Sequence, residues 1–109
     1  MNETGAVSAL SSLAQEHRLK IFRLLVQAGP DGSYAGAIAD RLKVPASSLS
    51  FHLAHLTRSG LISQERQSRQ LIYRAEFARM NELLNYLMLN CCQDSACTPD
   101  SVTTEGAHS

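Results

Sequence analysis

The arrangement that most constrains the fold is two short helical segments joined by only Lys43 and Val44. The first segment, residues 34–42, has apolar residues at helical spacing and follows Ser33, whose side chain is a predicted N-cap. The second segment, residues 45–59, begins with a proline, which the first position of a helix tolerates because its N–H would be unpaired there. So short a connection predicts that the two helices pack together as a helix-turn-helix pair.

The second helix of the pair has two contrasting faces. On a helical wheel its three inward leucines lie together: Leu49, Leu53 and Leu56. The opposite face is small and polar with one aromatic ring and one arginine: Ser47, Phe51, Ala54 and Arg58, flanked by Ser48 and His55. A face exposed only to water more often carries Glu and Lys. We therefore expect this face to approach another surface closely.

The flanking segments complete a small fold. Apolar spacing predicts helices over residues 6–14, 16–28 and 76–92. Residues 61–65 and 70–74 are strand-like and predict a β-hairpin whose connection carries two arginines. The predicted fold class is mainly α with a small β-hairpin wing (α+β), which is a winged helix-turn-helix.

The chain has no formal net charge, but its middle is basic. Between residues 41 and 79, only Glu65 and Glu76 oppose seven basic side chains: Arg41, Lys43, Arg58, Arg66, Arg69, Arg74 and Arg79. A locally basic segment in a neutral chain favours a surface that faces a polyanion. A solvated arginine-rich face is the alternative, and charge alone does not decide between the two.

The element order is that of a DNA-binding winged helix, in which the second helix lies in the major groove. The predicted DNA contacts come from this helix and the hairpin: Ser47, Ser48, Ser50, Phe51, His55, Arg58, Arg66 and Arg69. Serines at the positive helix start suit phosphate or base edges, and a phenylalanine suits a thymine methyl. The arginines suit phosphates or a narrow minor groove. Winged helices also serve as protein-interaction modules, and that alternative remains open.

Three stretches of the chain closely resemble the ArsR/SmtB family of bacterial repressors: "LAQEHRLKIFRLL", "AGAIADRLKVPASSLSFHLAHLTRSGLI" and "ERQSRQLIYRA". The resemblance implies a homodimer formed by the first and last helices. It also implies that the dimer represses transcription by binding a palindromic operator in double-stranded DNA. At the hairpin tip the family commonly has Gly-Arg, whereas this chain has Ser68-Arg69, which leaves the turn type open because serine disfavours positive φ.

The predicted dimer interface consists of apolar residues on the first and last helices: Val7, Leu10, Phe77, Met80, Leu84 and Leu87. Their stripe on the last helix is wider than one small core needs. A two-fold pair would bury it and would place two reading helices about one DNA turn apart. The alternative is that these residues only close the core of a single chain.

All three cysteines fall within seven residues: Cys91, Cys92 and Cys97. The family's Cys-x-Cys box is absent from residues 34–42, and its Asp and His zinc pairs have no histidine on the last helix. Three soft thiolates suit the pyramidal coordination of As(III) or Sb(III), whereas zinc requires four ligands. Some members that this sequence resembles carry a C-terminal cysteine pair plus a third cysteine and respond to arsenite. The predicted effector is therefore As(III), with Sb(III) or a trivalent methylated arsenical as variants.

The predicted mechanism is release from the operator. Neighbouring helix positions point about 100° apart, so Cys91 and Cys92 cannot both meet Cys97 unless the end of the last helix unwinds. The alternative is redox sensing, in which Cys91 or Cys92 oxidises and pairs with Cys97. An enzyme that uses these thiols on arsenate is disfavoured, because residues 91–97 contain neither arginine nor glycine to bind the anion.

The chain divides into two predicted regions. Residues 1–92 form the DNA-binding and dimerisation domain, and residues 93–109 form a thiol-bearing segment with a tail expected to be disordered. The sequence contains no apolar run near the roughly 18 residues of a membrane span and no secretory signal pattern. It predicts a cytoplasmic protein that is not an enzyme and has no membrane partner. His17, His52 and His55 are not a predicted metal site, and His52 is expected to be a structural histidine with its hydrogen bonds satisfied.

Overall fold

The computed structural model describes residues 1–90, and a three-stranded antiparallel sheet lies against the helices of this region. The helices are α1 (Glu3–Leu13), α2 (Glu16–Ala28), α3 (Ala35–Leu42), α4 (Ala46–Arg58) and α5 (Phe77–Leu87). The strands are β1 (Ser33–Tyr34), β2 (Ile62–Gln67) and β3 (Gln70–Ala75), and a 3-10 turn covers Gly29–Asp31. This is the predicted winged helix-turn-helix. Among residues 1–90, no helix has the length and apolar character that crossing a membrane requires.

The first helix begins three residues before its predicted start. The side chain of Asn2 caps it, because its Oδ1 accepts the N–H of Gly5 at 2.8 Å. The buried side of α1 consists of small residues, Ala6, Ala9 and Ser12. The larger Val7 and Leu10 point away from the core and are 59% and 43% exposed.

The core lies between α2, α3 and α4 and continues into the base of the hairpin. Its fully buried side chains include Ile21, Leu25, Ile38, Leu56 and Leu61, and the predicted inward leucines of α4 are all 2% exposed or less. The periodic pattern of α4 therefore predicted its buried face correctly. On α2, by contrast, Leu19 and Val26 remain 45% and 39% exposed.

A third strand, β1, was not expected from the sequence. Ser33 pairs with Tyr73 in this strand, so the prediction that Ser33 caps α3 is wrong; Tyr34 holds the N-cap position and makes no side-chain cap bond. Gly32 enters the strand at a φ of +68°, and a Cβ there would meet the backbone oxygen of Tyr73 and lie 2.7 Å from Cγ of Arg74. Only glycine fits this close approach of β1 to β3.

The last helix is shorter than predicted, because α5 ends at Leu87 rather than at residue 92. The N–H of Met88 bonds to the carbonyl of Leu84, and the N–H of Leu89 bonds to that of Tyr86, which tightens the final turn. Asn90 then adopts a φ of +61°, a left-handed conformation that asparagine tolerates and that stops a helix.

Candidate nucleic-acid interface

The turn between α3 and α4 sets the direction of the reading helix. Lys43 adopts a left-handed φ of +57°, and the buried Val44 donates its N–H to the carbonyl of Ala39 at 3.1 Å. Pro45 is extended and is the N-cap of α4 rather than its first residue, and its carbonyl accepts the N–H of Leu49. The sequence indicated a tight connection, but it carried no signal for the positive φ of Lys43.

The outer face of α4 is exposed and not acidic. Ser47, Ser48, Ser50 and Arg58 are exposed, and Phe51 is 61% exposed although it is a large apolar ring. The first turn of α4 contains no acidic side chain, so the positive end of the helix dipole is not neutralised there. An unneutralised helix start with small hydroxyl side chains is suited to bind phosphate.

The wing is a β-hairpin of β2 and β3. A two-residue turn, Ser68-Arg69, connects the strands, and Gln67 lies opposite Gln70. Ser68 has a φ of +58°, and Arg69 is not among the residues with positive φ. This sign pattern is that of a type II′ turn, which matches the twist of the flanking strands. Arg66 lies at the end of β2 rather than in the loop, and both arginines are exposed.

Two of the basic residues counted from the sequence are structural. Arg74 donates to Glu65 at 2.6 Å and to the carbonyl of Pro30 at 2.8 Å, so it joins the wing to the 3-10 turn. Arg79 pairs with Glu82 at 3.2 Å. Within residues 1–90 no ion pair engages Arg58, Arg66 or Arg69. The cations available to a polyanion are therefore fewer than the charge count indicated: Arg58, Arg66 and Arg69, which are predicted to contact DNA, together with Arg41 and Lys43.

Two clefts separate these elements. One, of about 270 Å³, lies between α4 and the base of the wing and brings Ser50 and Arg58 next to Gln64 and Tyr73. Burial raises the pKa of Tyr73, so its hydroxyl stays neutral at physiological pH. The second, of about 650 Å³, brings Arg66 and Arg69 opposite the small residues that start α3, Ala35 to Ala37. Sequence reasoning missed Gln64 and the start of α3, because only the packing brings them next to the predicted contacts.

Aromatic rings cluster where α4 meets the junction of α1 and α2. His17 stacks on His52 with 5.4 Å between ring centroids, and Phe51 meets His52 and His55 edge-on. Nδ1 of His52 is buried without a hydrogen-bond partner among the described residues, so the expectation of a satisfied histidine is wrong. Burial, followed by the charges of Arg18, His17 and His55, lowers the pKa of His52 below its usual range.

His55 is only half-buried, and its ring is already engaged within the chain. Its Nδ1 lies 3.0 Å from the hydroxyl of Ser12 on α1. A DNA contact by His55 would therefore use the other ring nitrogen, Nε2.

Within residues 1–90, an exposed apolar face on α1 and α5 has no covering partner. On α5, Phe77, Leu84 and Leu87 are 44%, 51% and 52% exposed. The neighbouring helix α1, which contacts α5, exposes Val7 and Leu10 to a similar degree. Of the predicted interface residues only Met80 is partly buried against the core. These side chains, Met80 apart, do not close the core of one chain, and Leu83, at 3% exposure, fills that role on α5.

The predicted metalloid ligands Cys91, Cys92 and Cys97 lie outside the described residues. Within residues 1–90 no group of three His, Cys, Asp or Glu side chains has the arrangement of a metal site.

Comparisons with known proteins agree with this geometry. Residues 13–65 match a family model described as a helix-turn-helix domain. The transcriptional activator HlyU of Vibrio cholerae serotype O1 is 29% identical over 92 residues, which are 84% of this chain and 82% of HlyU. The solved structure of HlyU from Vibrio cholerae N16961 gives a TM-score of 0.64 at 32% identity, covering 80% of this chain and 97% of that chain. A further structure of it is described as reduced HlyU.

Two other solved structures are regulators of the same kind. An ArsR-like transcriptional regulator from Rhodococcus sp. RHA1 gives a TM-score of 0.69 at 28% identity, covering 77% of this chain and 76% of that chain. The transcriptional repressor BigR from Xylella fastidiosa gives 0.61 at 26% identity, covering 79% and 85%. These relatives are transcriptional regulators and not enzymes. The exposed α4 face, the basic wing and these similarities show that the chain belongs to the ArsR family of winged helix-turn-helix transcriptional regulators.

Proposed function

We propose that this chain represses transcription by binding operator DNA as a homodimer, and that As(III) or Sb(III) bound to Cys91, Cys92 and Cys97 releases it. The observation that carries the DNA-binding part is the outer face of α4, which exposes Phe51 and an Arg58 that no ion pair engages within residues 1–90, while the opposite face is buried. A partner that covers this exposed ring removes apolar surface from water, which is favourable for binding.

In this proposal α4 enters the major groove, and its serine-rich start approaches a phosphate along the helix dipole. Phe51 contacts a thymine methyl, and Arg58 contacts the backbone or a base edge. The wing lies beside α4 across the 270 Å³ cleft, so Arg66 and Arg69 reach the flanking backbone or minor groove. The anchoring of the wing by Arg74 keeps these two arginines in register with α4.

The apolar face of α1 and α5 supports a homodimer. Two copies that share this face bury Val7, Leu10, Phe77, Leu84 and Leu87, which one chain leaves between 43% and 59% exposed. Because a two-fold interface uses the same patch on both copies, it places two α4 helices symmetrically for a palindromic site.

Dimerisation is tested by Leu84→Glu, which places a charge in this face. The matched control is Leu19→Glu, because Leu19 is 45% exposed, comparable to Leu84, but lies in the cleft between α2 and α3. We expect sedimentation equilibrium to show a dimer for the wild type and for Leu19→Glu, and a monomer for Leu84→Glu. A dimer in all three would contradict the proposed interface.

DNA binding is tested with a duplex selected from a random pool by the wild-type protein. We expect affinity to fall steeply with salt, and Arg69→Ala to lower the salt slope by about one unit because one phosphate contact is lost. The control is Arg23→Ala, which removes an exposed arginine of α2 in the cleft between α2 and α3. Binding that is independent of salt, or equal effects of both variants, would contradict the proposed interface.

The effector part of the proposal rests on the chemistry of three thiols within seven residues. The helix α5 ends at Leu87, and the unwinding predicted at Cys91 and Cys92 lies outside the described residues. In the sequence only Asn90 separates Cys91 from the exposed apolar residues Leu87, Met88 and Leu89. When three sulfurs coordinate one ion, the chain that follows α5 would shift. This shift would displace the C-terminal end of the apolar face in the dimer and change the spacing of the two α4 helices.

Release is tested by titrating the operator complex with arsenite, antimonite or hydrogen peroxide. We expect arsenite and antimonite to release the wild type, and Cys91→Ser/Cys92→Ser to remain bound. Redox sensing, in which Cys91 or Cys92 oxidises and pairs with Cys97, is the second candidate. Release by peroxide but not by arsenite would establish that candidate instead, and release of the double serine variant by arsenite would exclude the thiols as the site.

A further inference from the structure

A hydrogen bond joins α1 to the reading helix. Ser12 is fully buried, and its hydroxyl lies 3.0 Å from Nδ1 of His55, a residue 43 positions later in the chain. The other buried polar residue described, Ser59, bonds within its own helix end, to the carbonyl of Leu56. Of these two buried serines, only Ser12 therefore forms a side-chain bond to a different helix, from α1 to α4.

A second hydrogen bond, to the backbone of Ser12, fixes the position of this residue. Its carbonyl accepts Nε of Arg18 at 2.7 Å, which closes the end of α1 onto the start of α2. Carbonyls in the last turn of a helix lack partners within the helix, so this bond secures the turn that carries Ser12. The hydroxyl is thus presented to α4 from a fixed backbone.

Hydrogen-bond satisfaction determines which atom donates. A buried hydroxyl proton requires an acceptor, and within the described residues the only partner of the Ser12 hydroxyl is Nδ1 of His55. If His55 donated from Nδ1, the hydroxyl proton would have no acceptor. Ser12 therefore donates to Nδ1, and in the neutral ring the proton then resides on Nε2.

The second ring nitrogen is free to bind a partner outside the chain. Nε2 of His55 makes no hydrogen bond within residues 1–90, and it is not among the buried unpaired nitrogens there, so solvent reaches it. Phe51, on the exposed face of α4, packs edge-on to this ring at 6.4 Å between centroids. His55 lies at the flank of that face, where a major-groove helix passes the sugar-phosphate backbone.

We propose that Ser12 is a positioning residue for DNA binding, which holds His55 so that Nε2–H donates to a phosphate oxygen of the DNA backbone. This inference rests on the proposed function. The contact belongs to the same surface as the serines and Arg58, but it depends on a buried residue of α1 that is not among the predicted DNA contacts. Because α1 also exposes Val7 and Leu10, the bond ties the reading helix to the apolar face.

Two measurements test the inference. Long-range ¹H–¹⁵N NMR of the wild-type protein, with the His55 ring in its neutral form, identifies which ring nitrogen carries the proton. We expect the proton on Nε2. Binding is then compared for Ser12→Ala and for Ser11→Ala, which makes the same change at the neighbouring exposed position of α1. We expect Ser12→Ala to weaken binding about threefold to tenfold, equally for the selected duplex and for an unrelated one, with no change for Ser11→Ala. In a Ser12→Ala/His55→Ala protein the serine change should add less than about twofold to the effect of His55→Ala.

The outcomes separate this inference from the function on which it rests. If the wild type shows no salt-dependent binding to duplex DNA, the proposed function itself fails. If the wild type binds but its His55 carries the proton on Nδ1, or Ser12→Ala binds like Ser11→Ala, the positioning role is overturned. A loss confined to the selected duplex would overturn the phosphate assignment, because a backbone contact does not depend on sequence. The NMR arm decides the tautomer even if Ser12→Ala does not fold.

Discussion

Two glycines separated by two residues provide a controlled test of how the sheet is built. Gly29 and Gly32 share nearly the same backbone conformation, with φ of +72° and +68° and ψ of −154° and −161°. Their surroundings differ: a Cβ at Gly29 meets nothing within 4 Å, whereas one at Gly32 lies 2.7 Å from Cγ of Arg74 and 2.9 Å from Cγ2 of Ile72. Alanine at either position therefore carries the same backbone strain, but only at Gly32 does it also collide.

The magnitude follows from these two contributions. The backbone strain destabilises each variant by about 1–3 kcal/mol. Gly32→Ala carries a further ~1–3 kcal/mol, because the contacted atoms belong to β3 and the strand must separate from β1. With a urea m-value of about 1–3 kcal/mol per molar, a difference of ~2 kcal/mol moves the unfolding midpoint by about 1 M. Gly32→Ala should thus unfold at clearly lower urea concentration than Gly29→Ala.

The assay is urea unfolding followed by circular dichroism at one protein concentration, since a dimer's apparent stability depends on concentration. Salt-dependent DNA binding measured on the same samples should fall further for Gly32→Ala, because the strand that loosens also carries the wing. Equal unfolding midpoints for the two variants would refute the steric argument. A loss of stability without any loss of DNA binding would refute the link between β1 and the position of the wing.

Three further changes test local features. Ser68→Gly should stabilise the protein by up to about 1 kcal/mol in urea unfolding, because it relieves a φ of +58° at the wing tip; a destabilised variant would contradict the turn assigned there. Asn2→Ala should cost about 1 kcal/mol by the same assay, through loss of the cap on α1, and no change would exclude the cap. The pKa of His52 lies below its ordinary value of 6.5, so the unfolded chain binds this proton more readily, and the free energy of unfolding should fall as the pH drops below about 6.5. His52→Gln should reduce that fall between pH 8 and pH 5.5, and an unchanged pH profile would contradict it.

Local patterns predicted the five helices, the two strands of the hairpin and the outward face of α4. The positions of Leu49, Leu53 and Leu56 one helical turn apart indicated the buried side of α4, and the structure confirms it. The same wheel indicated that Phe51 and Arg58 face outward. These predictions succeeded because the side that a helical residue faces depends only on spacings of three and four residues, and these spacings are visible in the sequence.

Other features depended on contacts between distant parts of the chain. Ser33 has the composition of a helix cap, but its pairing with Tyr73 draws it into a strand. Arg74 counts as a free cation in the sequence, yet Glu65 and the carbonyl of Pro30 engage it. In both cases a partner far along the chain competes with the local preference and prevails.

By itself the sequence determined the order of the helices and the hairpin and the side of α4 that faces outward, because these are properties of short-range periodicity, and its specific motifs carried the family resemblance. Only the tertiary structure decided which side chains contact each other: Ser12 forms a hydrogen bond with His55, and the rings of His17 and His52 stack. The physical reason is that a hydrogen bond or a ring stack requires placement within a few tenths of an ångström. Such placement is set by how the helices pack on one another, and no periodic pattern in the sequence records it.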